Sequence, residues 1–367
     1  MMKEVSTEKK KRKKRKTDWY IILTPLFAVV ALFAMLACFF TIGYYETKEK
    51  KAAEEAAQAL AMAPVTYTQE EVDLMVENAV ALAVEDAVNR NNEDFLSNIR
   101  SKMENGDSTV SMLRELYPGD IVIYDKGKYV FKEIRDTLKH NQLSPQNIRA
   151  DEESGEITYV NGEEVISHKG IDVSKFQEKI DWSEVKNAGV EYAFIRLGIR
   201  GYTTGEIVLD ETFEYNAEQA LEQGLDVGVY FFSQAITEEE ALEEADFVIE
   251  NLKSYPINYP VVIDIEDVDS ENARTNDLTA EERTRLVITF CNRIRDAGYT
   301  PMIYGNLKTF LLMLDLEQLE DYEKWYAFYS TEEFYYPYDF SVWQYSDSGK
   351  IDGIGKKVDL NISFKEW

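Results

Sequence analysis

From Lys169 onward the chain alternates short apolar runs with helix-forming segments, and this pattern restricts the fold more tightly than any other feature. The runs at 170–173, 192–197, 226–232, 260–265, 301–304, 324–328, 340–344 and 358–364 are candidate strands. Candidate helices fall at 182–188, 211–223, 238–252, 280–297 and 307–313. Strands that alternate with helices predict a largely parallel sheet with helices outside. Eight strands in about 200 residues predict a compact, closed, irregular TIM-like barrel. The connection at 330–340 is short and aromatic, so the last outer helices are expected to be missing.

In such barrels chemistry sits at the C-terminal ends of the strands. Several carboxylates fall there: Asp172 in GIDVS, Asp264 and Glu266 in VVIDIE, and Asp359 in VDLN. Strand side chains repeat every two residues, so Asp264 and Glu266 face the same side. Like charges in a shared site push one pKa up, which is how a carboxyl remains a proton donor near neutral pH. A pair of carboxyls is what acetal hydrolysis requires. Asp267, Asp269 and Glu271 read as solvated acidic residues. The rings of Tyr230, Phe232, Tyr304, Trp343 and Tyr345 lie near predicted strand ends and are candidates for stacking on sugar faces. Arg196 is a candidate counter-charge or substrate contact. The sequence has no His/Cys ligand cluster, and DVDSEN lacks the spacing of a calcium loop. Neither a metal nor a cofactor is called for.

GIDVSKFQ (170–177), YAFIRLG (192–198), GVYFFS (228–233), VVIDIE (261–266), IYGN (303–306), VWQYS (342–346) and VDLN (358–361) resemble the glycoside hydrolase family 25 lysozymes, N-acetylmuramidases of the Chalaropsis type. The resemblance covers about residues 168–367. It implies a (β/α)5(β)3 barrel and hydrolysis of the β-1,4 bond between N-acetylmuramic acid and N-acetylglucosamine in peptidoglycan. On this chain it implies Glu266 as general acid/base and Asp264 as the residue that stabilises or orients the reacting group, with Asp172 and Asp359 completing the cluster. It also implies retention of configuration. The nucleophile is either the 2-acetamido group of the substrate or Asp264, and the spacing of the two residues does not choose.

Upstream the chain changes character twice. Residues 1–18 carry a net charge of +6, residues 19–45 carry none, and the remainder carries −34 of the overall −28. The 27 uncharged residues 19–45 follow KKKRKKRK and have aromatic residues at both ends, the pattern of a single membrane-spanning helix with its basic end in the cytoplasm. The expected organisation is a basic cytoplasmic tail (1–18), a transmembrane helix (19–45), a helical stalk (46–107) with a capping box at Thr68–Glu71, a small α+β module (108–167) and the catalytic barrel (168–367). In the module, hairpins are expected about Asp125-Lys-Gly127 and Asn161-Gly162, and a short helix at 135–142. The expected localisation is the cell membrane of a Gram-positive bacterium, single-pass, with the C-terminal domain outside. Expected partners are peptidoglycan glycan strands and the lipid bilayer, with self-association or membrane-complex partners through residues 46–167. The acidic balance argues against nucleic acid. The alternative reading is a non-catalytic wall-binding or assembly protein of a secretion or conjugation apparatus.

Overall fold

The computed structural model describes residues 50, 51, 53, 68–151, 154–329 and 335–367. The chain divides into two compact units, Met1–Asp107 and Ser108–Trp367. In the first, α1 (Gln69–Asn105) begins with the expected capping box: Thr68 N donates to Glu71 Oε2 at 2.8 Å while the Thr68 side chain accepts from Glu71 N. It ends at Gly106, whose φ of 88° is the left-handed conformation that glycine adopts without strain. The expectation of a membrane-anchored protein is corrected: among the described residues no helix is long and apolar enough to cross a membrane. Residues 19–45, on which that expectation rested, lie outside the described residues, as do residues 1–18. The bilayer partner, the membrane-complex partners and the single-pass localisation are set aside with it.

The second unit begins with α2 (Thr109–Leu116) and the hairpin β1 (Asp120–Asp125)–β2 (Lys128–Glu133). The hairpin turns where the sequence indicated, with positive φ at both Lys126 and Gly127, as a two-residue turn matched to strand twist requires. The three-stranded sheet β3 (Ile148–Ala150), β4 (Ile157–Asn161) and β5 (Glu164–Val165) turns at Gly162, φ 66°. The short helix expected at 135–142 does not form. That stretch instead lies along 336–339: Asn141 Nδ2 donates to Tyr336 O at 2.7 Å, and His140 bridges Tyr338. These contacts satisfy the backbone without helical bonds. Ile121, Ile123, Leu138, Ile157 and Tyr159 join one apolar core with the outer faces of the following strands.

Those strands are β6 (His168–Val173), β7 (Tyr192–Arg200), β8 (Ile207–Leu209), β9 (Asp226–Phe232), β10 (Val261–Asp264), β11 (Pro301–Asn306), β12 (Glu323–Ala327), β13 (Val342–Gly349) and β14 (Val358–Ser363). All but β8 close into an eight-stranded barrel through the β6–β7 pairing. Pairing is parallel from β6 through β7, β9, β10, β11 and β12 to β13. Strand β14 runs antiparallel to both β13 and β6. The expected TIM-like (β/α)5(β)3 barrel is therefore corrected to a closed mixed barrel. The physical reason lies in the last turn of chain: β13 reaches β14 through residues 350–357, and so short a connection returns a strand antiparallel, whereas a parallel return needs a crossover of a dozen residues or more. Helices α3 (Trp182–Asn187), α4 (Phe213–Glu222), α5 (Glu238–Leu252) and α6 (Ala280–Asp296) pack outside. Cys291 of α6 is buried.

The barrel interior is filled by rings. Tyr192 stacks on Tyr259 at 4.7 Å and Phe194 on Trp325 at 4.5 Å between centroids. These rings need space from the adjoining strands. A Cβ on Gly170 would meet the Tyr192 ring at 2.1 Å, and one on Gly228 would meet the Phe194 ring at 2.5 Å. The glycines of GIDVS and GVYFFS are thus the complements of two aromatic side chains. Gly170→Ala should cost about 1–3 kcal/mol through overpacking, and much less in a Tyr192→Ala background. Urea denaturation of the four proteins of this cycle measures both quantities; equal losses in the two backgrounds would contradict the packing account.

Candidate active site

Above the ring-filled layers the same inward positions become polar. They surround a cavity of about 450 Å³ at the C-terminal ends of the parallel strands. All four carboxyls picked out from the sequence line it: Asp172 from β6, Asp264 at the end of β10, Glu266 two residues beyond, and Asp359 from β14. Asp172 and Asp359 are direct partners across the antiparallel β6–β14 pair. A bulge in β7 between Arg196 and Gly198 resets its alternation, so that Arg196 before it and Ile199 after it both line the cavity.

Two amides hold the acidic cluster. Gln344 Oε1 accepts hydrogen bonds from the Tyr304 and Tyr329 hydroxyls, both at 2.8 Å. Its Nε2 points to the acids. It donates to Asp172 Oδ2 at 2.8 Å and to Asp359 Oδ2 at 3.4 Å. Asn361 repeats the arrangement: Trp325 Nε1 donates to its Oδ1 at 2.8 Å, and its Nδ2 donates to Asp172 Oδ2 at 2.8 Å. The indole N–H, which can only donate, fixes the orientation of Asn361.

Burial raises all four carboxyl pKa values. For Asp264, burial comes first, followed by the charges of Glu266 and Asp172; Arg196 works against the rise. Asp264 Oδ1 is buried and has no hydrogen-bond partner among the described residues. Glu266 is raised by burial and by Asp172. Asp359 is raised to about 9 by burial and by the charge of Asp172 beside it. For Asp172, burial outweighs the hydrogen bonds from Asn361 and Gln344 that favour its charged form. A site that holds protons on buried carboxyls near neutral pH can deliver one to a leaving oxygen.

The aromatic candidates separate into two groups. Tyr230, Phe232 and Tyr304 line the cavity. Trp343 and Tyr345 do not: they belong to the outer core, where Trp343 Nε1 donates to Phe328 O at 2.8 Å and Tyr345 accepts a backbone hydrogen bond from Ile157. They flank Gln344 in sequence, and because Gln344 points inward its neighbours point out. Trp325 is the ring that the sequence reading passed over. It is buried at the cavity wall, with Tyr304 edge-on at 4.6 Å and Tyr230 at 6.2 Å. Its indole N–H is committed to Asn361, which marks it as wall and positioning group together. Arg196 lines the cavity but pairs with Asp210, at 2.7 Å from both Nε and Nη2. Burial works against ionisation of Asp210, yet Thr212, Arg196 and Lys175 hold its pKa below the usual value. The counter-charge is therefore a fixed ion pair at the rim. Among the described residues no group of His, Cys, Asp and Glu is arranged to hold a metal ion.

Residues 171–354, half of the chain, match the family model for glycosyl hydrolases family 25. The chain belongs to glycosyl hydrolase family 25. It is a glycoside hydrolase of the lysozyme type. A protein of Escherichia coli (strain K12) called YegX, itself uncharacterized, is 29% identical over 201 residues, which cover 53% of this chain and 68% of that protein. The autolytic lysozyme of Clostridium acetobutylicum is 24% identical over 193 residues, 53% of this chain and 55% of that one. Among solved structures, a family 25 glycosyl hydrolase from Bacillus anthracis is 26% identical with a TM-score of 0.43, covering 54% of this chain and 89% of that one.

The raised carboxyl pKa values have a consequence for stability in this family 25 domain. Asp359 binds its proton more tightly folded than unfolded, where a carboxyl titrates near 3.9. Its contribution is complete below about pH 4 and is lost as pH rises toward about 9. Asp359→Asn removes that loss. Between pH 4 and pH 9 the variant should gain on the wild type by at least about 1.4 kcal/mol, one pKa unit. Urea unfolding across that range measures the gap; a gap independent of pH would contradict the assignment.

Proposed function

We propose that the chain hydrolyses peptidoglycan glycan strands, at the β-1,4 bond between N-acetylmuramic acid and N-acetylglucosamine. The observation that carries this reading is the pairing of buried Asp264 with half-buried Glu266 in a cavity walled by Tyr230, Tyr304 and Trp325. Flat rings suit the apolar faces of sugar rings, and the paired carboxyls suit an acetal. The name of the C. acetobutylicum relative, an autolytic lysozyme, points the same way.

In this reading Glu266 is the acid. Burial raises its pKa, and its proton passes to the glycosidic oxygen as the bond to the anomeric carbon breaks, water finally taking the leaving group's place at that carbon. Asp264, whose proton is held by burial and by the charge of Glu266, supplies once ionised the negative charge that the positive, oxocarbenium-like transition state requires. Its unpartnered Oδ1 leaves one lone-pair site open to the substrate. Asp172 and Asp359, clamped by Gln344 and Asn361, set the field in which those two carboxyls titrate. Arg196 is held at the rim by its ion pair with Asp210, from where its charge favours ionisation of Asp264.

The test is release of reducing ends and soluble muropeptides from purified peptidoglycan by the full chain. Wild type should release both, and products should end in a muramic acid reducing terminus. Glu266→Gln, which keeps the shape and removes the proton, should lower the rate by about 10²–10⁴ while still co-sedimenting with the polymer. Co-sedimentation of the wild type without any release would overturn the hydrolase reading; equal rates in the two proteins would overturn the role of Glu266.

A further inference from the structure

A second cavity of about 450 Å³ lies outside the carboxylate site, between α2 and β1 on one side and the ends of β11 and β12 on the other. Its first wall precedes the stretch that matches family 25, which begins at residue 171, so this cavity is built by what this chain adds to the family domain. Both walls belong to the one compact unit that starts at Ser108.

Two side-chain links join this cavity to the first. Tyr329 lines the second cavity and donates to Gln344, which lines the first. Lys308 also lines the second, and its Nζ lies 2.6 Å from Asp125 at the tip of the β1–β2 hairpin and 2.5 Å from Asp267, next to Glu266. The hairpin is thus tied by an ion-pair bridge to the loop that carries the catalytic acid. The cavity also has a cation to offer. Arg114 of α2 lines it and lies over the Tyr335 ring, 3.5 Å from its centroid. Its Nε is buried with no hydrogen-bond partner, while the rest of the guanidinium hydrogen-bonds the Tyr335 side chain. A buried guanidinium N–H left unsatisfied is costly, and a planar guanidinium is suited to a carboxylate. Beside it Tyr124, 57% exposed, offers a ring to the solvent side.

We propose that this cavity is a second subsite of the hydrolase and takes a carboxylate-bearing branch of the substrate, the stem peptide of peptidoglycan, with Arg114 as the anion contact and Tyr124 and Tyr329 as its aromatic walls. The proposal rests on the peptidoglycan reading above. The adjacency of the two cavities lets one strand occupy both: the glycan lies against the carboxyls while its peptide branch reaches over the Lys308 bridge. The hairpin then serves as a specificity element, because a glycan that has lost its peptides fills only the first cavity.

The experiment compares two soluble substrates: glycan chains that keep their stem peptides, and the same chains stripped of peptide by an amidase. The full chain is assayed as wild type, Arg114→Gln and Tyr124→Ala; the second variant alters an exposed ring and guards against a folding defect in the first. On stem-bearing chains each variant should raise KM about 3- to 10-fold with kcat unchanged. On stripped chains both should match the wild type, whose own KM should be higher there. A KM rise of the same size on both substrates, or none on either, would overturn the subsite while leaving the hydrolase intact. Failure of the wild type to cleave either chain would remove the hydrolase reading and the subsite with it.

Discussion

The site depends on the orientation of two buried amides. Gln344 on β13 and Asn361 on β14 stand beside β6, and each presents N–H to Asp172 while its oxygen accepts from O–H or N–H groups. Without the amides Asp172 would keep only its hydrogen bond from the protonated Asp359 across the antiparallel pair. With them, the carboxyls are held close and buried, and the cost of ionising them all falls as raised pKa values on Asp264, Glu266 and Asp359. The antiparallel last strand, a departure from a TIM barrel, is what sets Asp359 directly opposite Asp172.

Below the clamp the rings do the mechanical work. Trp325 stacks on Phe194, meets Tyr304 and Tyr230, and donates to Asn361. A shift of this one indole would therefore disturb the packed interior, the cavity wall and the orientation of an amide together. Gly170 and Gly228 belong to the same device, since their missing side chains are the space that the Tyr192 and Phe194 rings occupy.

Much of this was legible in the sequence, and what was not has a physical cause. The strands carried strong signals, because barrel strands buried on both faces read as continuous apolar runs; β9 and α5 lie where the pattern put them. The four carboxyls were legible for the opposite reason, as charges that such runs do not tolerate unless a site needs them. The same double burial hid which rings face the cavity. In VWQYS both Trp343 and Tyr345 are apolar enough for either face, and only the polar residue between them, Gln344, marks the inward side. Trp325 was lost for the same reason, one large ring among several in EKWYAF. The amides could not be found by charge, since a neutral Asn or Gln in a strand announces nothing until its partners are placed. The hairpin turns at Lys126-Gly127 and Gly162 were local and legible, whereas the docking of 135–142 along 336–339 is a contact across nearly 200 residues of chain, with no local signal.

The central claim is that burial and the mutual repulsion of close carboxyls keep protons on this acidic cluster at neutral pH. Carboxyl-selective ¹³C labelling of Asp and Glu, with the resonances of Asp172, Asp264, Glu266 and Asp359 followed from pH 3 to pH 10, reads those protons directly. The account predicts that at least one of the four remains protonated at pH 7, with Asp359 titrating near pH 9. Complete ionisation of all four below pH 5, as for solvated carboxylates, would contradict it.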